Sequence, residues 1–470
     1  FIITMCFSNS VCAQIGINTE NPKASLDINP NTGTTTPHGV LIPRLTGAEI
    51  EAMTVDTDHN SLLVYATEPS TAATPVVNAI GFWFYDVVDS TWKPINIERK
   101  KSTVIVNPDG TGDYTTLQEA YNKEAEKLFK TYTSNGNLIE FLQFTCHGNV
   151  GSLTANGSIP YIKIVGGTNC VINSLNIYNT TLTTQGTYTV TGSSSLINSY
   201  FKMNSNTTAN FSQQLTLKKA LFETETGCNI NTGNKINLVQ SALILTSSSA
   251  NTTNITFTPT TSLDAGLSLS NSIVKTGTST TLAFEGGNSF TNYILCDDQS
   301  LLNAQCTIRA NAPVTGSIVV ARQASKACLT TITGTATPSK IFQAITGGKI
   351  EHYNGSITMS VTGNAFTANN GGEINLGGGT TGSSANSVIT YVGSGTESAV
   401  AAEGGDVKVV TTPTQNSRTY TFNNFNLVLY AFGGGKIITL GRMLQGTSTT
   451  LMNGTAGTYL ASGSAIFTGS

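Results

Sequence analysis

The stretch FQAITGGKI, Phe342 to Ile350, occurs again as FTANNGGEI (Phe366 to Ile374), AVAAEGGDV (Ala399 to Val407) and LYAFGGGKI (Leu429 to Ile437), and a degenerate copy, YLASGSAIF, begins at Tyr459. The aligned alanines, Ala344, Ala368, Ala401, Ala431 and Ala461, stand 24, 33, 30 and 30 residues apart, and VVARQASKA fits the pattern 23 residues upstream at Ala321. A repeat of this length suits one coil of a solenoid, in which short strands stack on those of the next coil. Alternate residues then point inward to an apolar stack. Ala344, Ala368, Ala401 and Ala431 are expected in one column along the axis. The glycine pairs Gly347-Gly348, Gly371-Gly372, Gly404-Gly405 and Gly434-Gly435 are expected at a tight corner, where a side chain would collide with the neighbouring coil.

Upstream, short strands recur from Leu138: LIEFLQFT, YIKIVGG, VINSLNIYN, SLINSYFKM and INLVQSALILT among them. Gly, Asn, Ser and Thr turns separate them, and the helical segments of a βαβ fold are missing. The fold class read from this is all-β, a right-handed parallel β-helix over residues 138–470. About 350 residues in coils of about 27 give about 13 coils, stacked at the ~4.8 Å strand spacing into a rod of about 60 Å.

Charged residues make up only 11% of the 470, and Gly numbers 46, as befits a β-rich chain with many turns. Lys+Arg 24 against Asp+Glu 27 gives a formal net charge of -3, so no general basic surface attracts phosphate backbones and no nucleic-acid partner is expected. Residues 1–13, FIITMCFSNSVCA, read as the tail of a secretory signal peptide cut after Ala13, with a short buried strand or a lipoprotein signal through Cys12 as alternatives. Export would place the protein outside the cell or on the outer surface of a bacterium, with no transmembrane span. Cys146, Cys170, Cys228, Cys296, Cys306 and Cys328 are scattered, without C-x-x-C or His at ligand spacing. They are expected to be buried thiols, and no metal or cofactor is expected.

Residues 14–96 form a separate head. The segments IGINTENPKASLDI, GVLIPRLTGAEIEAM, NSLLVYATE and GFWFYDVVDSTWKPI resemble, in order, a module found near the start of many envelope and secreted proteins of Gram-negative bacteria and in some phage tail fibres. LLVY and GFWFYD read as strands, Asp89-Ser90 as a turn, and TGAEIEAM as a short helix with Ile50 and Met53 on one face. Trp83 and Trp92 are either a sugar-stacking platform or, as we read them, packing anchors.

Residues 97–137 comprise a basic linker (IERKKS), a first strand and a capping helix. VIVNPDGTGDYTTLQEA, Val104 to Ala120, has a strand, a glycine turn and a helix start at Thr116 with Glu119 as its capping partner. The helix is expected over Thr116 to Tyr132, with Leu117, Tyr121, Leu128 and Tyr132 on one face, covering the open end of the first coil. This opening resembles that of pectin methylesterases and other pectin lyase-like proteins, and the resemblance extends to about Met203. It implies a right-handed parallel β-helix that acts on or binds polysaccharide.

The chemistry of that family does not follow. Gln213-Gln214 can stand for one element, but LFETETGC lacks the next, and LGRML at Leu440 keeps only Leu-Gly-Arg, so Arg442 reads as a surface charge. Asp297-Asp298 is the only adjacent acidic pair in the body, and a solvated turn accounts for it. Glu351 and His352 read as an outward polar face. The functional expectation is a non-enzymatic adhesin or glycan-binding fibre for a polysaccharide or cell-surface glycan. Association, as a homotrimer for example, would strengthen weak individual sites. The alternative is a divergent lyase or esterase built on Asp297, Asp298 and Arg442, and a purely structural fibre shares the adhesin's sequence features.

Overall fold

The computed structural model describes residues 14–30, 39–72, 75–77, 79–95, 103–126, 130–132, 138–353, 355–378, 386–395, 397–410, 419–440, 443–446, 450–455 and 458–462. The expected signal segment 1–13 and the linker 97–102 lie outside these residues. The chain divides into two compact units, Phe1–Arg99 and Lys100–Ser470.

In the first unit a four-stranded sheet runs in the order Arg44–Leu45, Leu63–Ala66, Gly81–Asp86 and Thr91–Pro94. The first pair is parallel and the others antiparallel. Thr46 caps the helix Gly47–Glu51 in a reciprocal box with Glu49, and Ile50 is buried against Val64, Ala66, Trp83, Tyr85 and Trp92. Both tryptophans therefore pack the core of this unit. Trp83 Nε1 donates to the Ala79 carbonyl at 3.1 Å, which satisfies its one polar atom.

The second unit is a parallel β-helix. Thirteen parallel strands, from Leu153–Ala155 to Thr450–Thr455, build its first face, and the coils wind on through two further faces. Strand burial alternates, as in Leu215–Lys218 and Ile236–Val239, because the inward set fills the solenoid. Inside, rings stack from coil to coil: Phe201 on Phe222 at 4.4 Å, Phe257 on Phe284 at 4.8 Å, and Phe284 on Tyr293 at 4.2 Å. Such contacts add to the burial of large apolar area. All six cysteines from Cys146 to Cys328 are buried free thiols.

One column through the first face shows how the coils register. It runs Ile177, Leu196, Leu217, Leu238, Leu269, Cys296, Ala321, Ala344, Ala368, Ala402 and Ala431. Ala401 is not in it; it pairs with Thr367 and Tyr430, while Ala402 takes the place next to Ala368. The coil ending there turns one residue sooner, with Gly405 three residues after Ala402 where Gly372 stands four after Ala368. Alignment on the glycines therefore displaces the alanine by one. Ala461 also leaves the column: it pairs with Thr439 on another face, and Gly454 follows Ala431.

Two residues beyond each member of the column the backbone turns left-handed. This holds at Asn179, Asn198, Lys219, Gln240, Asn271, Asp298, Gln323, Thr346, Asn370, Gly404 and Gly433, with φ between 46° and 72°. At such a corner the ladder of strand hydrogen bonds is interrupted, and a buried hydroxyl replaces it. Ser241 Oγ accepts from Ala220 N at 3.1 Å, Ser272 Oγ from Ser241 N at 3.1 Å, Ser300 Oγ from Ser272 N at 3.1 Å, and Ser325 Oγ from Ser300 N at 3.0 Å. The column of serines thus satisfies backbone groups that the turn would orphan.

From Ser325 onward the serine gives way to glycine, and the two glycines of each repeat have different tasks. Gly371 has φ +77 and open space around a side chain, whereas a Cβ on Gly372 would lie 2.2 Å from the Ala344 carbonyl oxygen of the preceding coil. Gly347, Gly404 and Gly434 share the positive φ, and Gly348, Gly405 and Gly435 the close approach.

The helix at the open end spans Leu117–Glu126, shorter than expected, because Lys130–Tyr132 is a strand paired antiparallel with Leu138–Cys146. Thr131 and Tyr132 suit that extended state. Leu117, Ala120 and Tyr121 are buried. The Gln118 amide accepts from Thr154 N at 2.7 Å and donates to Thr154 O at 3.2 Å, so a side chain occupies the free edge of the outermost first-face strand. Thr103–Val106 already pairs in parallel with Leu138–Cys146, and so belongs to the stack.

Gly371→Asn should leave stability within about 0.5 kcal/mol of the parent, since Asn tolerates left-handed backbone. Gly372→Ala should lose about 1–3 kcal/mol through overlap with the Ala344 carbonyl. Urea unfolding of both variants checks this, and equal effects would contradict the division of labour.

Candidate functional site

From Asn179 to Asn271 the corner is made by a single left-handed residue, and the chain enters the second face at once. Thr181, Tyr200, Leu221, Ala242 and Ile273 follow in register, one coil after another. Asn179, Asn198, Lys219, Gln240 and Asn271 are exposed, whereas Thr180, Ser199, Ala220, Ser241 and Ser272 are buried beneath them. The result is a groove of about 970 Å³ along the stacking direction, lined by these corner side chains with Tyr200, Leu221 and Ile273. Its polar groups repeat at the strand spacing of about 4.8 Å.

The groove ends where the corner widens. Asp298 and Gln299, then Gln323 and Ala324, are two successive left-handed residues. A turn hydrogen bond closes each pair, from Ser300 N to Asp297 O at 3.2 Å and from Ser325 N to Arg322 O at 3.1 Å.

Amides offer donors and acceptors together, and the aliphatic and aromatic surfaces of Leu221, Ile273 and Tyr200 suit the C–H faces of a sugar. Tyr200 is fixed by donating to Glu223 Oε2 at 2.6 Å, and burial, aided by that carboxylate, pushes its hydroxyl up to about 12. Beside the groove Lys202 pairs with Glu225 at 2.6 Å. The Lys202 ammonium, with the Ser205 N–H and O–H, holds Glu225 down from its ordinary 4.5 to about 2.

Asp297 and Asp298 lie outside this groove and are engaged between coils. Asp297 Oδ2 accepts from Arg322 Nη2 at 2.6 Å, and Asp298 Oδ2 from Ser270 Oγ at 2.8 Å. With its amide nitrogen turned toward them, Gln323 donates to both, at 2.5 and 2.6 Å. Arg442 is outside the described residues. Glu351 and His352 do not form one outward face: His352 points inward, is fully buried, and bonds to the Thr330 carbonyl and the Tyr420 hydroxyl. Glu351 faces outward, 2.9 Å from Lys326 and 3.3 Å from Lys349. Among the described residues no three His, Cys, Asp or Glu side chains gather as a metal site, and no helix is long and apolar enough to cross a membrane.

The glycine repeat and the sequence motifs do not point to this corner ladder. Its signal is a polar residue followed by a small one after each apolar strand: Asn179-Thr180, Asn198-Ser199, Lys219-Ala220, Gln240-Ser241 and Asn271-Ser272.

Residues 14–108 match the family model described as phage tail like trimerisation region. This, with the parallel β-helix behind it, fits a tail-fibre-like body. No curated protein and no solved structure shows a significant match, so the pectin lyase-like resemblance gains no support from these comparisons.

Because the folded-state pKa of Glu225 is depressed, its contribution to stability is present above its ordinary 4.5 and fades as pH falls toward about 2. Glu225→Gln should flatten the acid limb of a melting-temperature profile within that window and leave the limb above pH 6 parallel to the parent. An unchanged acid limb would contradict the pairing.

Proposed function

We propose that this protein is a non-enzymatic, tail-fibre-like adhesin, exported to the outer surface of a bacterium or beyond it. Its β-helix holds a polysaccharide or cell-surface glycan along the corner groove, and its head associates three copies. The observation that carries the binding reading is the lining of the groove: amides, hydroxyls, one ammonium and apolar surface, with no carboxylate among the described residues. Cleavage of a glycosidic bond by paired acids would need carboxylates there. Individual sites should be weak, in the millimolar to micromolar range as an order of magnitude, and gain by multivalency.

Support for a trimer comes from the description of the matched family and from an apolar surface beside the head sheet, where Val40, Leu41, Tyr65, Ile80 and Phe82 line one pocket. Val40, Leu41, Ile80 and Phe82 are 60%, 81%, 61% and 45% exposed, with Tyr65 against Phe82 at 5.0 Å. Contiguous exposed apolar surface of this kind marks an association site.

Light scattering on the full chain should give three chain masses, and Leu41→Asp with Phe82→Ser should give one; a monomeric parent would contradict the assembly. On a glycan array the parent should bind, and the Asp297→Asn, Asp298→Asn pair should bind within about twofold of it. Release of methanol or unsaturated oligosaccharide by the parent, lost in that double variant, would overturn the binding reading.

A further inference from the structure

The whole chain carries a net charge of -3, but the coils that form the groove do not share it. Residues 142–280 contain six lysines and three carboxylates, Glu223, Glu225 and Asp264. Two of the carboxylates are ion-paired, Glu225 with Lys202 and Asp264 with Lys235 at 3.2 Å, while Glu223 accepts from the Tyr200 hydroxyl and keeps its charge. Four ammonium groups, those of Lys163, Lys218, Lys219 and Lys275, are left without an acidic partner among the described residues.

Their placement follows the groove. Lys219 is one of the corner residues that line it, and Lys218 closes the first-face strand Leu215–Lys218 immediately before that corner. On the other side, register places Lys163, Thr183, Lys202, Glu223, Ile244 and Lys275 in one outward column. Lys275 stands two residues past the groove-lining Ile273, on the same side of its strand. Downstream, Arg322 pairs with Asp297, Lys326 with Glu351 and Lys408 with Glu373, while Lys340 and Lys436 have no acidic partner among the described residues. Free positive charge flanks the groove and is neutralised at Arg322, Lys326 and Lys408 beyond it.

We propose that the groove takes an anionic glycan, whose carboxylate or sulfate groups meet Lys219 and the flanking Lys163, Lys218 and Lys275. This rests on the glycan-binding reading above and narrows its ligand class. Cations spaced along a concave surface raise the local concentration of a polyanion, and an ammonium–oxyanion hydrogen bond is stronger than its neutral counterpart. Single-stranded nucleic acid fits less well. Its binding relies on stacking platforms, and Tyr200, the one aromatic residue lining the groove among the described residues, is tied to Glu223.

The test uses the full chain on an array holding neutral, uronate-bearing, sialylated and sulfated glycans, with single-stranded DNA as a separate arm. Binding should concentrate on acidic glycans and weaken as NaCl rises; the uronate and sulfate arms tell which oxyanion is preferred. Lys219→Gln should weaken binding about three- to tenfold. The variant keeps the fold, because Gln240 already occupies an equivalent corner at φ 51. Equal binding of neutral glycans, unaltered by Lys219→Gln, would overturn the anionic assignment while leaving glycan binding in place. Failure to bind any glycan would overturn both, and salt-sensitive capture of DNA in preference to glycan would overturn this inference in favour of a nucleic-acid partner.

Discussion

A left-handed residue at the same place in successive coils is the constraint on which the body depends. It turns the chain from the first face into the second without breaking register, so that Leu196, Leu217 and Leu238 stack directly. The cost of positive φ for a residue with a side chain is about 1–2 kcal/mol. It is offset by what the corner permits: continuous strand pairing on both sides and a buried serine column that satisfies the interrupted backbone. A solenoid gains stability from each coil–coil interface, so a corner that fits its neighbours is reinforced along the stack.

The same corner decides where the surface is concave. A single left-handed residue directs its own side chain into solvent and leaves a concavity beside it, as at Asn198 and Gln240. Two left-handed residues, as at Asp298-Gln299, fill that space with a closed turn. Beyond the switch the second face carries a chain of ion pairs, Lys326–Glu351–Lys349–Glu373–Lys408, with separations from 2.9 to 3.5 Å. Isolated exposed pairs contribute little, but a linked series holds adjacent coils in register and leaves its charges engaged. One half of the solenoid thereby carries an open groove and the other a linked series of ion pairs.

Much of this architecture was legible in the sequence because period and composition act locally. The glycine repeat implied a solenoid with tight corners, and the amphipathic stretch after Thr116 implied a lid. The error at Ala401 has a local cause as well, since a corner shortened by one residue is invisible when two alanines stand side by side. His352 was misplaced because its strand neighbours are polar, while its partner Tyr420 lies 68 residues away. The groove was harder still to see. Asn179, Lys219 and Gln240 share backbone conformation, not residue type, and no pattern of identity links them. Asp297 and Asp298 drew notice as an acidic pair, yet Arg322 and Ser270 on neighbouring coils absorb their charge.

Amide hydrogen exchange on the full chain, with and without an acidic oligosaccharide that it binds, tests the central claim most directly. The account predicts added protection at the successive corners from Asn179 to Asn271 and none along Lys326 to Lys408. Protection confined to the downstream ion-pair face, or to the head, would contradict the assignment of the corner groove as the binding surface.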